Sequence, residues 1–254
     1  MDCLSVGIDI GSTCTKTIVL DKNGQIKHKF LQPTGWSSAQ TAKSVDDLLK
    51  TNNIKTNKII STGYGRNLVA YAPKKVTEIT CHAKGACHIF KSNDITVIDI
   101  GGQDTKIICI ENGVVTDFLM NDKCSAGTGR FLEVMSNTLQ VTPDELCKLA
   151  SKGANTKISS MCTVFAETEV ISLIGKGEKR ENIAFAVLNS IVEKVVSQAN
   201  KLISKDSMIC LTGGLCDFEE FIIFLEKALC KKVITNSDAR YAGAIGAGIM
   251  AQKL

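Results

Sequence analysis

Apolar and polar residues alternate over residues 5–31, the period of paired β-strands, with Asp21-Lys-Asn-Gly24 as the turn between them. Over 37–53 the period lengthens to that of a helix, with Val45, Leu48 and Leu49 on one face. Ile59-Ile-Ser-Thr-Gly-Tyr-Gly65 reads as a strand ending in a glycine-rich bend, 78–92 as a helix, and 95–119 as a second hairpin with Glu111-Asn-Gly113 at its tip. Beyond it helix replaces strand: 125–139, 143–152, 163–175 and 181–203 all show the 3.6-residue period, and Thr142 before Pro143 is a helix-start signature. Met208-Ile-Cys-Leu211 is a buried strand running into Thr212-Gly213-Gly214. The segment Tyr241–Ala251 is a helix of small residues, which let backbones approach closely.

The two hairpins repeat one another. Gly7-Ile-Asp-Ile-Gly-Ser-Thr-Cys-Thr-Lys-Thr-Ile18 recurs ninety residues later as Val97-Ile-Asp-Ile-Gly-Gly-Gln-Asp-Thr-Lys-Ile-Ile108, so the chain holds two related halves. In each copy a β-branched run ends in an acid and a glycine, crosses a short polar turn and resumes as a strand, which is a hairpin and not a strand-to-helix P-loop. Such a turn suits phosphate, because glycine lets backbone N–H groups approach an anion and a strand-end aspartate can hold Mg²⁺ through water. The candidate nucleotide-binding residues are therefore Gly11, Ser12, Thr13, Cys14, Thr15 and Lys16 in the first turn and Gly101, Gly102 and Lys106 in the second. Asp9 and Asp99 are the candidate Mg²⁺ organisers, and Gln103 and Asp104 the candidates for orienting an attacking water.

One such turn says little, because hairpins use glycine for conformation alone. Two copies, a later Thr-Gly-Gly after a buried strand and a terminal Gly/Ala helix form an ordered set that resembles the actin-like ATPase superfamily, which includes sugar kinases and the seventy-kilodalton chaperones. The resemblance implies an α/β, ribonuclease H-like fold with two duplicated lobes around a nucleotide cleft, and ATP or ADP as ligand. It places the first lobe over 1–93, with the C-terminal helix packing back on it, and the second over 94–254. It puts Gly213, Gly214 and Leu215 at the adenosine, with Gly127, Thr128 and Gly129 as further nucleotide-binding candidates.

Composition narrows the partners. A net charge of +4, with no basic run longer than two residues, gives no footprint for nucleic acid. No apolar run approaches the roughly 20 residues of a membrane span, and the N-terminus opens into a strand without a basic leader, so a cytoplasmic location is expected. Eleven cysteines are an odd count without a Cys-x-x-Cys, which argues against a disulfide framework, a zinc ribbon or a thioredoxin-type site. Most, such as Cys109 and Cys210, stand singly in apolar segments as small core residues. Cys81-His82 and Cys87-His88 lie six apart, spacing that points their side chains away from one another on a helix. Trp36, the only tryptophan, is expected to pack in its loop, and Glu78 is a candidate for facing the nucleotide.

Two cysteines differ from the rest. Cys124, in Asn121-Asp-Lys-Cys-Ser-Ala-Gly-Thr-Gly-Arg-Phe-Leu-Glu133, and Cys162, in Ser159-Ser-Met-Cys-Thr-Val-Phe-Ala-Glu167, each fall just before a predicted helix, whose N-terminus favours a thiolate. Their separation of 38 residues is not a metal signature, and read from the residues alone both can be incidental cap-region cysteines. Together with Thr62-Gly-Tyr-Gly-Arg66 and Val97-Ile-Asp-Ile-Gly-Gly-Gln-Asp104, however, these segments resemble, nearly residue for residue, the activators of (R)-2-hydroxyacyl-CoA dehydratases, a family that includes ATPase subunits of benzoyl-CoA reductase. Where the commonest family pattern has Cys-Ala-Ala-Gly, this chain has Cys124-Ser-Ala-Gly127, and Ser125 is a further hydrogen-bonding group.

The resemblance implies a homodimer that shares one [4Fe–4S] cluster through Cys124 and Cys162 of each chain. It implies that ATP turnover drives one low-potential electron into a dehydratase or reductase, and that ferredoxin or flavodoxin supplies it. Two rivals are a small-molecule kinase on the same fold, which needs an inserted sugar-binding domain, and a regulator or chaperone-like ATPase, which needs an added interaction domain. The 254 residues leave room for neither addition.

Overall fold

The computed structural model describes residues 4–121, 124–159, 162–204 and 207–254. The strands are β1 (Ser5–Ile10), β2 (Cys14–Leu20), β3 (Ile26–Pro33), β4 (Ile59–Thr62), β5 (Lys74–Lys75), β6 (Ile95–Ile100), β7 (Thr105–Glu111), β8 (Val114–Asn121), β9 (Met208–Gly213) and β10 (Val233–Ile234). The α-helices are α1 (Ser38–Thr51), α2 (Glu78–Phe90), α3 (Gly129–Thr138), α4 (Pro143–Ala150), α5 (Thr163–Gly175), α6 (Arg180–Ala199), α7 (Glu219–Leu229) and α8 (Ala242–Ala251). The strands form two five-stranded sheets, ordered β3-β2-β1-β4-β5 and β10-β9-β6-β7-β8. The chain divides into two compact units, one of Met1–Ile95, Ile110–Thr116 and Asp238–Leu254, the other of Thr96–Cys109 and Asp117–Ser237.

In the first unit the repeat motif is an antiparallel pair in which Asp9 faces Lys16 and Ile10 faces Thr15, with β4 lying parallel to β1 on its other side. Alternation along β1 assigns the two faces of the sheet. Val6, Ile8 and Ile10 pack with Ala42, Val45 and Leu49 of α1. Gly7 turns the other way, where a Cβ would stand 1.9 Å from the Ala244 carbonyl oxygen of α8. Ile18 and Leu20 join Ala244 and Ile245 there, and Ile60 joins Ala247 and Ala251. The small residues of α8 thus serve a contact that any side chain would block: Gly85 of α2 and Gly246 of α8 would carry Cβ atoms 1.9 Å from Ala242 O and 1.8 Å from Cys81 O.

In the second unit buried residues line the long helix α6, from Ile183 and Ala184 through Val195 to Ala199. The predicted start of α4 is a full capping box, Thr142 accepting from Glu145 N–H while the Glu145 carboxylate accepts from Thr142 N–H. Several sequence boundaries move. Residues 125–128 are not helical, because Gly127 adopts φ +85° and the helix starts at Gly129. α6 ends at Ala199 rather than 203. α7 and the short β10 were not anticipated: the run Phe221-Ile-Ile-Phe-Leu225 is continuously apolar, so it hides the helical period that buries only Phe221 and Leu225.

Candidate functional site: two duplicated turns and a cysteine pair

The two turns share their closing contacts. Gly11 N–H donates to Cys14 O at 3.2 Å, and Gly101 N–H donates to Asp104 O at 2.9 Å. Both strand-end aspartates are buried. Each is backed by a Thr-Gly pair at the end of the neighbouring strand. Gly63 after β4 has φ +83° and would carry a Cβ 2.4 Å from Asp9 Oδ1 and 2.6 Å from Ile10 O. Gly213 at the end of β9 has φ +87°, and its Cβ would stand 2.8 Å from Asp99 Oδ1 and 2.3 Å from Ile100 O. Only glycine fits either place. Thr212 Oγ1 also donates to Asp99 Oδ1 at 2.9 Å. Sequence reading found Gly213 but assigned no role to Thr62-Gly63; the signal was there, because both Thr-Gly pairs end a strand beside a repeat motif.

The backbone behind each turn is held from outside it. In the first unit Thr34 N–H donates to Thr13 O at 2.9 Å, and Thr34 Oγ1 donates to Gly11 O at 2.8 Å. Gly243, in the first turn of α8, faces the Asp9 carboxylate. In the second unit the first N–H groups of α3 do the holding: Gly129 donates to Gly101 O at 2.9 Å and Arg130 to Gly102 O at 2.8 Å. The turn therefore caps the helix, and the helix fixes the turn. Thr105 Oγ1 donates to Gly127 O at 2.7 Å.

Of the remaining predicted residues, Ser12, Thr13, Gly102 and Asp104 are partly exposed and Gln103 exposed. Lys16 and Lys106 differ: the Lys16 ammonium lies 3.9 Å from Asp9, whereas that of Lys106, 1% exposed, lies 2.7 Å from Asp104 and 3.5 Å from Asp99. Gly214 and Leu215 open a short 3-10 turn after β9.

The cysteine segments meet in the second unit. Cys162 is the N-cap residue of α5 as predicted, its carbonyl accepting from Ala166 N–H at 2.9 Å. Cys124 is not at a helix start; it begins the loop that precedes α3, with Asn121 Nδ2 donating to its carbonyl oxygen at 2.9 Å. The expected helix-start position thus holds for Cys162 and not for Cys124. What joins the two is a side-chain hydrogen bond at 2.7 Å between Ser125 and Thr163, the residues next to each cysteine. Asp122, Lys123, Ser160 and Met161 of the cysteine motifs lie outside the described residues.

Several of the other cysteines are core residues. Burial pushes the thiols of Cys81 and Cys147 up to about 11 and about 12, as befits core residues. Cys210 is fully buried, and Cys109 donates to Leu202 O. Trp36 does not pack in its loop: it is 89% exposed.

Two sheets that each carry an Asp-turn-Lys hairpin define an actin-like α/β fold of the nucleotide-binding kind. A ROK family glucokinase from Streptomyces griseus, in complex with glucose and AMPPNP, shares that fold at a TM-score of 0.65, covering 99% of this chain and 100% of its own at 14% identity. The chain belongs to the BadF/BadG/BcrA/BcrD ATPase family, whose model matches residues 6–251. It is 42% identical to the (R)-2-hydroxyglutaryl-CoA dehydratase activating ATPase of Acidaminococcus fermentans, over 100% of this chain and 98% of that one. The crystal structure of the Acidaminococcus fermentans (R)-2-hydroxyglutaryl-CoA dehydratase component A superposes at a TM-score of 0.90, covering 99% of this chain and 98% of its own at 42% identity. The activator of 2-hydroxyisocaproyl-CoA dehydratase from Clostridium difficile, with bound ADPNP, also superposes at 0.90, with 32% identity over 98% and 94% of the two chains.

Proposed function

We propose that this ATPase is a reductive activator: it spends ATP to pass one low-potential electron from a [4Fe–4S] cluster, shared by two copies of the chain, to a 2-hydroxyacyl-CoA dehydratase-type partner, and it is reloaded by ferredoxin or flavodoxin. The observation that carries the reading is the Ser125–Thr163 hydrogen bond, which draws the Cys124 and Cys162 segments to one place. Relatives whose names say dehydratase activator support the partner class. Two thiolates fit half of a four-thiolate cluster, so a second copy would complete the set. Cys124 and Cys162 would hold the cluster, and when bound it supplies a one-electron carrier.

The chain's own residues supply a path between nucleotide and cysteines. Gly101 and Gly102 bond to the start of α3, Thr105 bonds to Gly127, Thr128 Oγ1 donates to Ser125 O at 2.6 Å, and Ser125 meets Thr163 at the start of α5. A change at the second turn on ATP hydrolysis would be passed to both cysteine segments along these hydrogen bonds. Phosphoryl transfer itself asks for positioning and charge neutralisation, which the two turns, their lysines and Mg²⁺ organised by Asp9 and Asp99 would provide. Gln103 and Asp104 would orient the water.

The test ranks the cysteines. Cys124→Ser or Cys162→Ser should remove the broad iron–sulfur absorption and the bound iron from anaerobically purified protein, whereas Cys109→Ser and Cys230→Ser should keep both. Iron that survives loss of Cys124 or Cys162 would end the proposal.

A further inference from the structure

We propose that the two lysines made equivalent by the repeat do different work: Lys16 meets the nucleotide's phosphates, while Lys106 is a positioning residue that holds the carboxylates of Asp99 and Asp104 for ATP turnover. This rests on the reading of the two turns as phosphate-binding. The surroundings of the lysines differ because of one of the mismatches between the two copies, where Cys14 in the first turn stands in the place of Asp104 in the second. The first turn therefore offers Lys16 the single strand-end carboxylate of Asp9, at 3.9 Å, and its side chain stays 19% exposed. The Lys16 ammonium also lies over the turn itself, 3.9 Å from where a Cβ on Gly11 would stand. An anion seated on the turn's backbone would meet it there.

Lys106 is placed for another task. It is buried, and its ammonium lies between Asp104 at 2.7 Å and Asp99 at 3.5 Å. Drawing it out to a phosphate would leave two carboxylates together without their cation, and separating a buried ion pair in this way is strongly unfavourable. The acids it holds are fixed on their other sides as well. Asp99 accepts from Thr212, and the Asp104 carboxylate lies against the bare Cα of Gly101, where a Cβ would come within 2.4 Å of Oδ1. Asp104 keeps 26% of its side chain exposed, so the clamp fixes a carboxylate that still reaches solvent. Anion contact belongs to the first turn, and a rigidly aimed acid to the second.

The experiment measures ADP affinity by calorimetry and steady-state ATP turnover on the full chain. Lys16→Met should weaken ADP binding tenfold or more. Lys106→Met should leave the ADP dissociation constant within about threefold of the parent and lower kcat by about a hundredfold, the cost of a misaimed catalytic group. Because Lys106→Met strands two acids, the double variant Lys106→Met/Asp104→Asn removes the surplus charge; it should fold, bind ADP within the same threefold and remain slow. A purely structural role would lower the folded fraction and leave kcat per folded molecule unchanged, and that result would overturn the proposal. So would an ADP affinity lost in either Lys106 variant to the extent seen with Lys16→Met. ADP binding that is unchanged even in Lys16→Met would instead refute the phosphate-turn reading beneath it.

Discussion

Asp9 and Asp99 show how a local sequence rule becomes chemistry. Each closes an apolar strand, is buried, and has its carboxylate confined by a glycine with positive φ on the adjacent strand end. Neutralising either should therefore leave the fold and remove the function: Asp9→Asn and Asp99→Asn are expected to keep a native circular dichroism spectrum and to lose ATP turnover by two orders of magnitude or more, in keeping with loss of metal and phosphate organisation. Folded variants with parental turnover would refute the two-turn account. These aspartates, the turn glycines and both lysines were legible in the sequence because the motif is written twice at one spacing. Of their backing pairs, Thr212-Gly213 was marked by the buried strand before it, while the role of Thr62-Gly63 was harder to see, since strand adjacency, not sequence adjacency, brings it to Asp9. The Cys14/Asp104 mismatch between the copies is in the sequence, but only the structure sets the Asp104 carboxylate beside Lys106 and so separates it from Lys16.

Among the elements, the crossing of α2 and α8 depends most on what is missing. Gly85 and Gly246 let each helix backbone reach the other, with carbonyl oxygens standing where their Cβ atoms would be. Gly246→Ala is expected to destabilise the protein, by about 3 kcal/mol as for an overpacked core site, despite the better helix propensity of alanine. A denaturant midpoint equal to or above that of the parent would show that the crossing can open at no cost. The small-residue character of this helix could be read directly, whereas the partner it packs against could not, because Gly85 sits in α2 among larger residues and carries no pattern of its own. The start of α3 was misread for a related reason: helical periodicity continues back through 125–128, but Gly127 at positive φ and the hydrogen bonds from Gly129 and Arg130 to the turn at Gly101-Gly102 set the boundary four residues later. Tertiary hydrogen bonding overrode a local period. The non-helical residues 125–128 instead carry the hydrogen bonds from Thr105 to Gly127 and from Thr128 to Ser125.

At the scale of the whole molecule, α5 is the helix that leaves a large apolar surface exposed. Only Ala166 and Val170 of this helix are buried, while Val164, Phe165, Ile171 and Ile174 are exposed large hydrophobics along an element that begins at Cys162. Such a row on the helix that carries a candidate cluster ligand is the kind of surface a second copy would cover. If two chains meet here and each contributes two thiolates, iron should measure about four per dimer and about two per chain. Phe165→Glu, among these exposed residues, should then shift the sedimenting species toward monomer and reduce iron content with it, while ADP binding by the remaining protein is retained. Air should act in the same sense: oxidation of a cluster held at an interface would strip the iron, and the dimer should loosen or aggregate. Anaerobic sedimentation with iron analysis, before and after exposure to air, decides the matter. A monomer holding four irons, or a dimer whose spectrum is unchanged by air, would exclude a cluster shared across the two-fold axis.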